Sequence, residues 1–562
     1  MIANRGEIAA RIIRTCRKMG IRTVAVYSEA DAGAPYVKAA DVAVALPGNA
    51  PSETYLNMAA LLDGAKRAGA DAVHPGYGFL AENADFARKC ADAGLTFIGP
   101  RPEAIEAMGS KSAARALMQQ HGVPVVPGLD GELAEGADLA AEAAKIGYPV
   151  LLKAVAGGGG KGMRIVESPE EMASAMEAAK REAENAFGDG RLLLEKYFSA
   201  VRHVEFQIFG DQQGNAIHLL ERECSIQRRY QKIIEESPSP ALDAELREKM
   251  GAVAVKAAQA LKYDNAGTVE FILTDSDEFY FLEVNTRLQV EHPVTEMVTG
   301  LDLVEWQIRV ARGEDLSLKQ EEVRAQGYAV ECRLYAEDAE NGFLPDTGTV
   351  LDWQVPEVAD LRVDSGVAAG SEVSVWYDPM LAKIVVHGAD RGEALRKMRY
   401  VLKEMYVPGL TTNRAFLWAL LTDENVQRGD YNTHFLKGNL PKVEEDTTAR
   451  DRALMAVLVE DWGERRAHQT LLRGVPSGWR NSFFQPQIVE WEVDGESIEI
   501  KYKKEGDNWD VTIAGEAQPT TYRLRNVEAE GAALHLEIDG LRCKVLLAKA
   551  PDGAVWTQVQ GH

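Results

Sequence analysis

The stretch EVNTRLQVEHPVT, residues 283–295, decides the central part of the fold together with TVEFILTDSDEFYFLEVN, residues 268–285, which runs into it. Two runs rich in β-branched and aromatic residues, 268–273 and 279–285, flank a turn rich in Asp and Ser. Such a pattern predicts a β-hairpin.

The predicted hairpin brings acidic side chains together. With the turn centred on Ser276 and Asp277, Glu270 and Glu283 become direct cross-strand partners, and Asn285 follows on the same face. Like charges opposite each other destabilise a sheet, whereas Mg²⁺ binds carboxylate and amide oxygens and shares them with substrate phosphates. These residues predict a site for Mg²⁺ or Mn²⁺; a solvated strand face is the alternative.

Polar residues continue beyond the hairpin at every second position, as Asn285, Arg287, Gln289 and Glu291. An extended chain would project all four to one side. Such a face makes a poor core but a good oxyanion site, since Arg287 can fork onto carboxylate or carbonate oxygens. Glu291 is a candidate general base.

Composition excludes several classes of protein. The chain has 562 residues and a formal net charge of −24, which argues against a nucleic-acid surface. Its five cysteines lie far apart, which fits a reducing compartment and excludes a disulfide framework. No apolar run approaches the ~18 residues that span a bilayer. We expect a cytoplasmic protein, or a mitochondrial matrix protein in a eukaryote.

The order of predicted elements indicates an α/β protein with four units. Strands and helices alternate over 1–108, which predicts a doubly wound parallel sheet. Residues 109–325 hold most of the candidate chemistry, and 326–440 predict a mixed β/α unit with strands GYAVECRLYAE, EVSVWY and AKIVVHG. Residues 446–562 predict a helix at 453–468 and seven short antiparallel strands, wrapped into a barrel or around that helix, with a type I′ turn at Asp539-Gly540.

A glycine run follows the predicted strand YPVLLKAVA. Gly158, Gly159, Gly160 and Lys161 lie within GGGGKG, where backbone amides can approach phosphates closely. Lys153, on the strand, could reach the same phosphates. The loop is not a Walker A motif, and a flexible surface loop with a solvated lysine is an equal alternative.

Four further features have both a functional and a structural interpretation. RECSIQRRYQK, residues 222–232, concentrates four basic residues in an acidic chain, which suggests an anion pocket or a charged loop. HPGYGFLAEN around Tyr77 fits a ligand-contacting loop or a plain turn. His203 is more often structural than catalytic, and Arg333 could be an ordinary ion-pair partner.

Together these motifs resemble biotin carboxylase, of the ATP-grasp superfamily. IANRGEIA, HPGYGFLAEN, GGGGKGM, ECSIQRR, EVNTRLQVEHPVTE and GFLPDTG occur in the family's order and spacing over roughly residues 1–440. Residues 446–562 resemble, less specifically, the helix-plus-barrel interaction (BT) domain of propionyl-CoA and methylcrotonyl-CoA carboxylase α subunits. The resemblance implies a pre-ATP-grasp domain (1–108), an ATP-grasp domain with a glycine-rich lid (109–325), a C-terminal carboxylase domain (326–440) and that interaction domain.

The resemblance also implies roles for individual residues. ATP would lie on Lys111, Lys153 and the glycine lid, with Glu195, Lys196, His203 and Gln227 at its adenine and ribose end. Bicarbonate would bind Lys232, Arg287, Gln289 and the backbone of Val290, and Glu291 would remove its proton to form carboxyphosphate. Arg333 would stabilise charge on the biotin oxygen, and Tyr77 would touch the biotin ring.

The resemblance further implies partners and departures. A carboxyltransferase β subunit and a biotin carboxyl carrier domain are expected, in a hetero-oligomer without membrane or nucleic acid; propionyl-CoA is the first expectation for the acyl substrate and methylcrotonyl-CoA the second. No Met-Lys-Met biotinylation site is present, so biotin must be carried elsewhere, and we expect further residues beyond both ends. Tyr230 stands where His or Asn is common.

Two other functions remain open from the sequence. Another ATP-grasp ligase, of the carbamoyl-phosphate or purine pathway, would share the lid and the metal hairpin but not RLQVEHPVTE together with Arg333. A non-catalytic scaffold that recruits a carboxyltransferase is the second alternative.

Overall fold

The computed structural model of the protein describes residues 1–129, 139–155, 163–229, 231–438, 440–441, 446–471, 474–475, 485–514 and 519–559. Within them, every helix is too short or too polar to span a bilayer. Short 3₁₀ turns occur at Glu29–Asp31, Pro169–Glu171 and Gln320–Glu322.

Strands and helices alternate in the N-terminal region. Its elements are α1 (Gly6–Lys18), β1 (Val24–Tyr27), α2 (Pro35–Ala39), β2 (Val42–Ala45), α3 (Met58–Ala68), β3 (Ala72–Val73), α4 (Ala84–Asp92), β4 (Thr96–Phe97) and α5 (Pro102–Gly109). β1 pairs with β2 and β3 with β4, both in parallel, and Ile2 bridges to Ala25 and His74. Ala25 packs with α1 on one side, whereas Val24 and Val26 pack with α3 and α4 on the other. The predicted doubly wound parallel sheet is confirmed.

A small antiparallel sheet with two helices follows. Its region contains α6 (Lys111–Gln120), β5 (Gly128–Leu129), α7 (Leu139–Ile146), β6 (Val150–Ala154), β7 (Met163–Val166), α8 (Met172–Phe187) and β8 (Leu192–Lys196), with strand order β5-β8-β6-β7. Helices α7 and α8 pack on it through small residues such as Ala143 and Ala179. The predicted strand YPVLLKAVA and the predicted helix at 112–121 are confirmed. The glycine run at 157–162 and the first part of the predicted helix at 134–146 lie outside the described residues.

An eight-stranded antiparallel sheet forms the centre of the molecule. Its strands are β9 (Val201–Gly210), β10 (Ala216–Arg228), β11 (Gln231–Ser237), β12 (Asn265–Thr274), β13 (Phe279–Asn285), β14 (Tyr328–Tyr335), β18 (Leu361–Ser365) and β20 (Met380–Gly388), with helices α9 (Ala244–Ala260), α10 (His292–Thr299) and α11 (Leu303–Ala311) between them. The order is β13-β12-β9-β10-β11-β14-β20-β18. β11 pairs directly with β14, so this one sheet contains strands from both sides of residue 325.

Short elements and three helices complete this region. They are β15 (Glu337–Asp338), β16 (Leu344–Pro345), β17 (Gly348–Thr349), β19 (Glu372–Val373), α12 (Arg391–Glu404), α13 (Arg414–Thr422) and α14 (Glu424–Arg428). The prediction that EVSVWY is one strand is wrong beyond Val373. The chain turns there, Val375 and Trp376 are exposed, and the Tyr377 hydroxyl donates to the Asn49 carbonyl at 2.6 Å.

A helix and a seven-stranded antiparallel sheet form the C-terminal module. They are α15 (Thr447–Ala467), β21 (Gln487–Val493), β22 (Glu496–Glu505), β23 (Asn508–Ile513), β24 (Thr520–Glu530), β25 (Ala533–Ile538), β26 (Leu541–Lys549) and β27 (Val555–Val559), paired in sequence order. Asp446 caps α15 by accepting from the Ala449 N–H at 3.0 Å, so the helix begins earlier than predicted. Asp539 and Gly540 have φ of +49° and +85°, which confirms the I′ turn. The sheet packs around α15, and Tyr406 ties the module to the central region by donating to the Trp556 carbonyl.

Candidate active site

The hairpin of β12 and β13 has the predicted register. Glu270 is paired with Glu283, and Thr268 with Asn285. A bulge after Glu270 leaves Leu282 at the surface. Glu270 is buried, whereas Glu283 is exposed, so the acidic pair runs from the interior of the sheet to its open face.

Glu270 is surrounded by donors. Its Oε1 accepts from Asn285 Nδ2 at 2.8 Å, from Gln289 Nε2 at 3.0 Å and from Lys232 Nζ at 3.0 Å, and its Oε2 lies 2.9 Å from His203 Nε2. Burial alone would raise the pKa of the Glu270 carboxyl, but Lys232 and His203 hold it well below its ordinary value. The carboxylate is therefore ionised, with the Lys232 ammonium and the His203 imidazole beside it.

The donor set fits a hard divalent cation. Two carboxylates and an amide lie on one face of neighbouring strands, as Mg²⁺ prefers. Ligand atoms of His203, Glu205 and Glu270 also lie within 4.8 Å of one another. The carboxylate oxygens in this group suit Mn²⁺ as well as Mg²⁺.

Lys232, on β11, connects three buried acids. Its ammonium donates to Glu205 at 2.5 Å, to Glu291 at 2.7 Å and to Glu270 at 3.0 Å. Burial alone would lower the pKa of Lys232, but these carboxylates hold it well above its ordinary value. The site thus contains a permanently charged lysine that faces both the predicted metal ligand and the predicted base.

Glu291 lies between two cations. Its Oε1 accepts from Lys232 and its Oε2 accepts from Arg333 Nη2 at 2.9 Å. Burial alone would raise the pKa of Glu291, but Lys232 and Arg333 hold it well below its ordinary value. Arg333 also donates from Nε to Glu235 at 2.6 Å. Glu291 is therefore ionised, but it is a weak base while both cations remain on it.

The segment after the hairpin is not extended as predicted. β13 ends at Asn285, the chain turns near Val290 and α10 begins at His292. The predicted side chains nevertheless converge: Arg287 donates to the Gln289 side-chain oxygen, and to Asn285 Oδ1 at 3.2 Å. Their convergence results from side-chain hydrogen bonds and the turn, rather than from strand alternation.

The predicted nucleotide residues lie on the small sheet. Lys153 donates to Glu195, which also accepts from Arg115 at 3.1 Å. Lys196 donates to the Gly147 and Tyr148 carbonyls at 2.8 Å and 3.1 Å. Lys153 is therefore paired rather than freely solvated.

The other residues predicted to bind ATP lie on strands, at a helix start and outside the described residues. His203 is on β9, and Gln227 on β10 is the cross-strand partner of Lys232. Lys111 begins α6 after the cap Ser110. The Lys111 side chain lies outside the described part of the chain, as do residues Gly158, Gly159, Gly160, Lys161 and Tyr230.

The loop with Tyr77 is held from within the protein. Asn4 Nδ2 donates to the Pro75 and Tyr77 carbonyls, at 2.7 Å each. Gly76 has φ of +64°, and a Cβ there would lie 2.9 Å from Asn4 Nδ2. The glycine is therefore required by the turn and by the close approach of Asn4, and its presence does not by itself indicate a ligand.

Sequence reasoning missed several buried charges. Arg222 is fully buried and donates to Glu205 at 2.6 Å. Glu235, also buried, accepts from Arg333. The exposed Glu82, which was missed as well, accepts from the Thr286 N–H at 3.0 Å. Charged residues inside otherwise apolar strands, as in HVEFQIFG, were the available signal.

Family comparisons divide the chain into four matched segments. The model "Biotin carboxylase, N-terminal domain" matches residues 1–105, and "Carbamoyl-phosphate synthase L chain, ATP binding domain" matches 110–319. "Biotin carboxylase C-terminal domain" matches 331–438, and "Methylcrotonyl-CoA carboxylase, alpha-subunit, BT domain" matches 450–562.

Individual relatives agree with these matches. The mitochondrial methylcrotonoyl-CoA carboxylase subunit alpha of Oryza sativa is 55% identical over 78% of this chain and 60% of its own length. The Arabidopsis thaliana protein of the same name is 51% identical over 98% of this chain and 78% of its own. The chain thus spans about 60% of the length of the first curated relatives that it matches.

A solved structure gives the same fold. The biotin carboxylase domain dimer of Hydrogenobacter thermophilus 2-oxoglutarate carboxylase, in complex with MgADP, ADP and bicarbonate, has a TM-score of 0.73 and 48% identity, covering 78% of this chain and 96% of that one. The predicted fold class, an ATP-grasp α/β protein followed by a β-rich module, is confirmed. The chain belongs to the biotin carboxylase family, in the form found in acyl-CoA carboxylase α subunits, where a BT domain follows the carboxylase region.

Proposed function

We propose that this chain carboxylates biotin on a carrier domain, using ATP and bicarbonate through carboxyphosphate. The observation that carries the proposal is the buried set in which Lys232 joins Glu270 to Glu291, and Glu291 joins Lys232 to Arg333. The predicted metal side, bicarbonate side and biotin side of the reaction meet at these four residues.

Glu270, Glu283 and Asn285 would hold Mg²⁺ or Mn²⁺, which neutralises nucleotide phosphates and the charge that develops in phosphoryl transfer. Mg²⁺ and ADP in the H. thermophilus relative support this assignment. A divalent charge held there would offset the Glu270 charge that Lys232 now offsets, and Lys232 would then be available to an anionic substrate.

Bicarbonate would bind Lys232, Arg287, Gln289 and the backbone of Val290. Each cation that turns from Glu291 to the substrate removes a cause of the depressed Glu291 pKa. Glu291 therefore becomes a stronger base as bicarbonate arrives, and it can accept the bicarbonate proton. Bicarbonate in the H. thermophilus complex supports this ligand.

Arg333 would then present its guanidinium to the biotin oxygen, and Tyr77 would contact the biotin ring. Because Arg333 is held by two buried carboxylates, its position is set before the ligand arrives, as electrostatic stabilisation requires.

ATP would lie against the small sheet, between it and the central sheet. Lys111, Lys153, Lys161 and the glycines at 158–160 would bind phosphates, while Glu195, Lys196, His203 and Gln227 would line the adenine and ribose. The ion pair of Lys153 with Glu195 means that a phosphate must compete with that carboxylate for the lysine.

We infer methylcrotonyl-CoA as the acyl substrate of the assembled enzyme, ahead of propionyl-CoA. The BT-domain match and the named relatives support this order, which reverses the expectation from the sequence. Partners would be a carboxyltransferase β subunit and a biotin carrier domain, in a hetero-oligomer of the bacterial cytoplasm or the mitochondrial matrix. We propose unit boundaries at 108, 325 and 440–446, next to the limits of the family matches.

The test is ATP hydrolysis by the purified chain with Mg²⁺ and bicarbonate, with and without free biotin or a biotinylated carrier. We expect hydrolysis to require bicarbonate and to be stimulated by biotin. Bicarbonate-dependent hydrolysis that ignores biotin would indicate another carboxylating ligase, and no hydrolysis would indicate a scaffold. Mass spectrometry of the co-purifying subunit then tests the acyl-CoA assignment.

A further inference from the structure

Lys383, on β20, is a fully buried cation that the proposed mechanism does not use. Its Nζ donates to the Val290 carbonyl at 3.0 Å. It also lies 3.1 Å from Glu7 Oε2 and 3.9 Å from Asp364 Oδ2. Burying an ammonium is unfavourable unless it is closely paired, and two carboxylates and a carbonyl meet that need here.

Lys383 lies where the N-terminal region meets the central sheet. Glu7 lies in the first turn of α1, in the N-terminal region. Asp364 is the cross-strand partner of Lys383 on β18, and Arg333 is its partner on β14. The ring of Tyr77 lies 5.7 Å from Nζ. Lys383 thus contacts Val290 and neighbours Arg333 and Tyr77, three residues of the proposed site.

The contact with Val290 is the one that bears on substrate. Between Asn285 and His292 the chain has left the sheet ladder and has not yet entered α10, so this segment depends on individual hydrogen bonds. Glu82 holds its start at the Thr286 N–H, and Lys383 holds its far end at the Val290 carbonyl.

We propose that Lys383 is a positioning residue for the bicarbonate site: its ammonium fixes the peptide that joins Val290 to Glu291. This inference rests on the proposed function for its consequence in catalysis, but not for its structural content. The competing interpretation is that Lys383 only ties α1 to the central sheet through Glu7 and Asp364.

The two interpretations predict different effects when Lys383 is replaced by a neutral residue. In Lys383→Met the Val290 carbonyl loses its donor, and the buried Glu7 is left without its cation. In the double variant Glu7→Gln/Lys383→Met the charges balance again, but Val290 remains unanchored. If Lys383 is only a structural tie, the effects of Lys383→Met should disappear in the double variant. If Lys383 positions the bicarbonate site, those effects should persist.

The first measurement is amide hydrogen exchange over a peptide covering residues 286–294. We expect at least tenfold faster exchange in Lys383→Met, in the double variant and in the milder Lys383→Gln. The matched control is Arg247→Met, which breaks the ion pair of Arg247 with the buried Glu221 on another part of the sheet, and there this peptide should be unchanged. Unchanged exchange in the double variant and in Lys383→Gln overturns the proposal.

The second measurement is the KM of bicarbonate-dependent ATP hydrolysis. We expect the KM for bicarbonate to rise at least tenfold in the double variant, with the KM for ATP within twofold, and Lys383→Arg to recover part of the loss. An equal rise in both KM values overturns the proposal. If the native chain shows no such hydrolysis, the proposed function fails, and hydrogen exchange alone decides the positioning role.

Discussion

The two large antiparallel sheets differ in what they bury. One face of the central sheet encloses charged side chains such as Glu205, Arg222 and Glu291, all fully buried. The inner face of the C-terminal sheet packs residues such as Leu536 and Val545 against Leu458 of α15. The strand geometry is the same, but one interior is ionic and the other is apolar.

This difference in buried side chains indicates that the central sheet positions reactive groups, whereas the C-terminal sheet contributes stability. Burying a charge is unfavourable unless each partner is placed accurately, and the central sheet places Lys232 and Arg333 on both oxygens of one carboxylate. An apolar interior gains stability from packing alone. We therefore expect substitutions in the first sheet to change the reaction, and those in the second to change only stability.

The largest effect is expected for Glu291→Gln. Loss of the base should lower bicarbonate-dependent ATP hydrolysis by about 10²–10⁴-fold, while nucleotide affinity, measured by calorimetry, stays nearly unchanged. Glu490→Gln on an exposed strand position is the control. An unchanged rate for Glu291→Gln would remove its assignment as the base.

Arg333→Ala should separate the two halves of the reaction. We expect biotin carboxylation to fall by about 10²-fold, and more than ATP cleavage does. The matched control is Arg391→Ala, because Arg391 pairs with Glu236, the sequence neighbour of Glu235. Both variants should lose stability, but only Arg333→Ala should change the ratio of carboxylation to cleavage; equal losses would place Arg333 elsewhere in the mechanism.

Leu458→Ala tests the apolar interior. Leu458 is fully buried, and its truncation should lower the free energy of unfolding of the module by about 2–5 kcal/mol. Carboxylation of free biotin should keep its kcat. Leu471→Ala, at an exposed leucine, should change neither quantity, and a lower kcat in Leu458→Ala would contradict the division between the sheets.

The smallest effect concerns Glu331, the cross-strand partner of Glu235. Burial raises the pKa of Glu331 well above its ordinary 4.5, and neither of its oxygens has a hydrogen-bond partner within the described structure. Above pH 4.5 the unfolded chain releases this proton while the folded protein retains it, so stability falls as pH rises.

Replacing Glu331 by Gln should flatten that dependence. We expect the Tm of the native chain to fall by at least about 2 °C more than that of Glu331→Gln between pH 5 and pH 8. Glu321→Gln, at an exposed position, should follow the native curve. Parallel curves for all three proteins would show that Glu331 does not retain its proton.

Much of the fold and of the candidate site could be predicted from the sequence, because the deciding signals are local. The hairpin register follows from two short strands and a turn, which fix Glu270 opposite Glu283. The strands of the C-terminal module follow from alternation and turn residues. The prediction that residues 286–291 are extended was wrong, because polar residues at every second position resemble a strand. In the structure, side-chain hydrogen bonds and a turn bring the same polar side chains together.

The rest depends on contacts between distant parts of the chain. Glu235 and Arg333 are 98 residues apart, and Lys232 and Glu291 are 59 residues apart. Such pairs are fixed by the order of strands in the sheet, which local patterns do not contain. The sequence therefore indicated the candidate base, cations and metal ligands, but not Glu205 and Glu235, the further acids that contact Lys232 and Arg333.

The pairing of β11 with β14 has a consequence for the rigidity of this site. Lys232 and Arg333 contact the two oxygens of the Glu291 carboxylate from adjacent strands. Neighbouring strands stay about 4.8 Å apart because the hydrogen bonds of the ladder join them. A change at either cation is therefore a rotation of its side chain, and it leaves the backbone on which both cations stand in place.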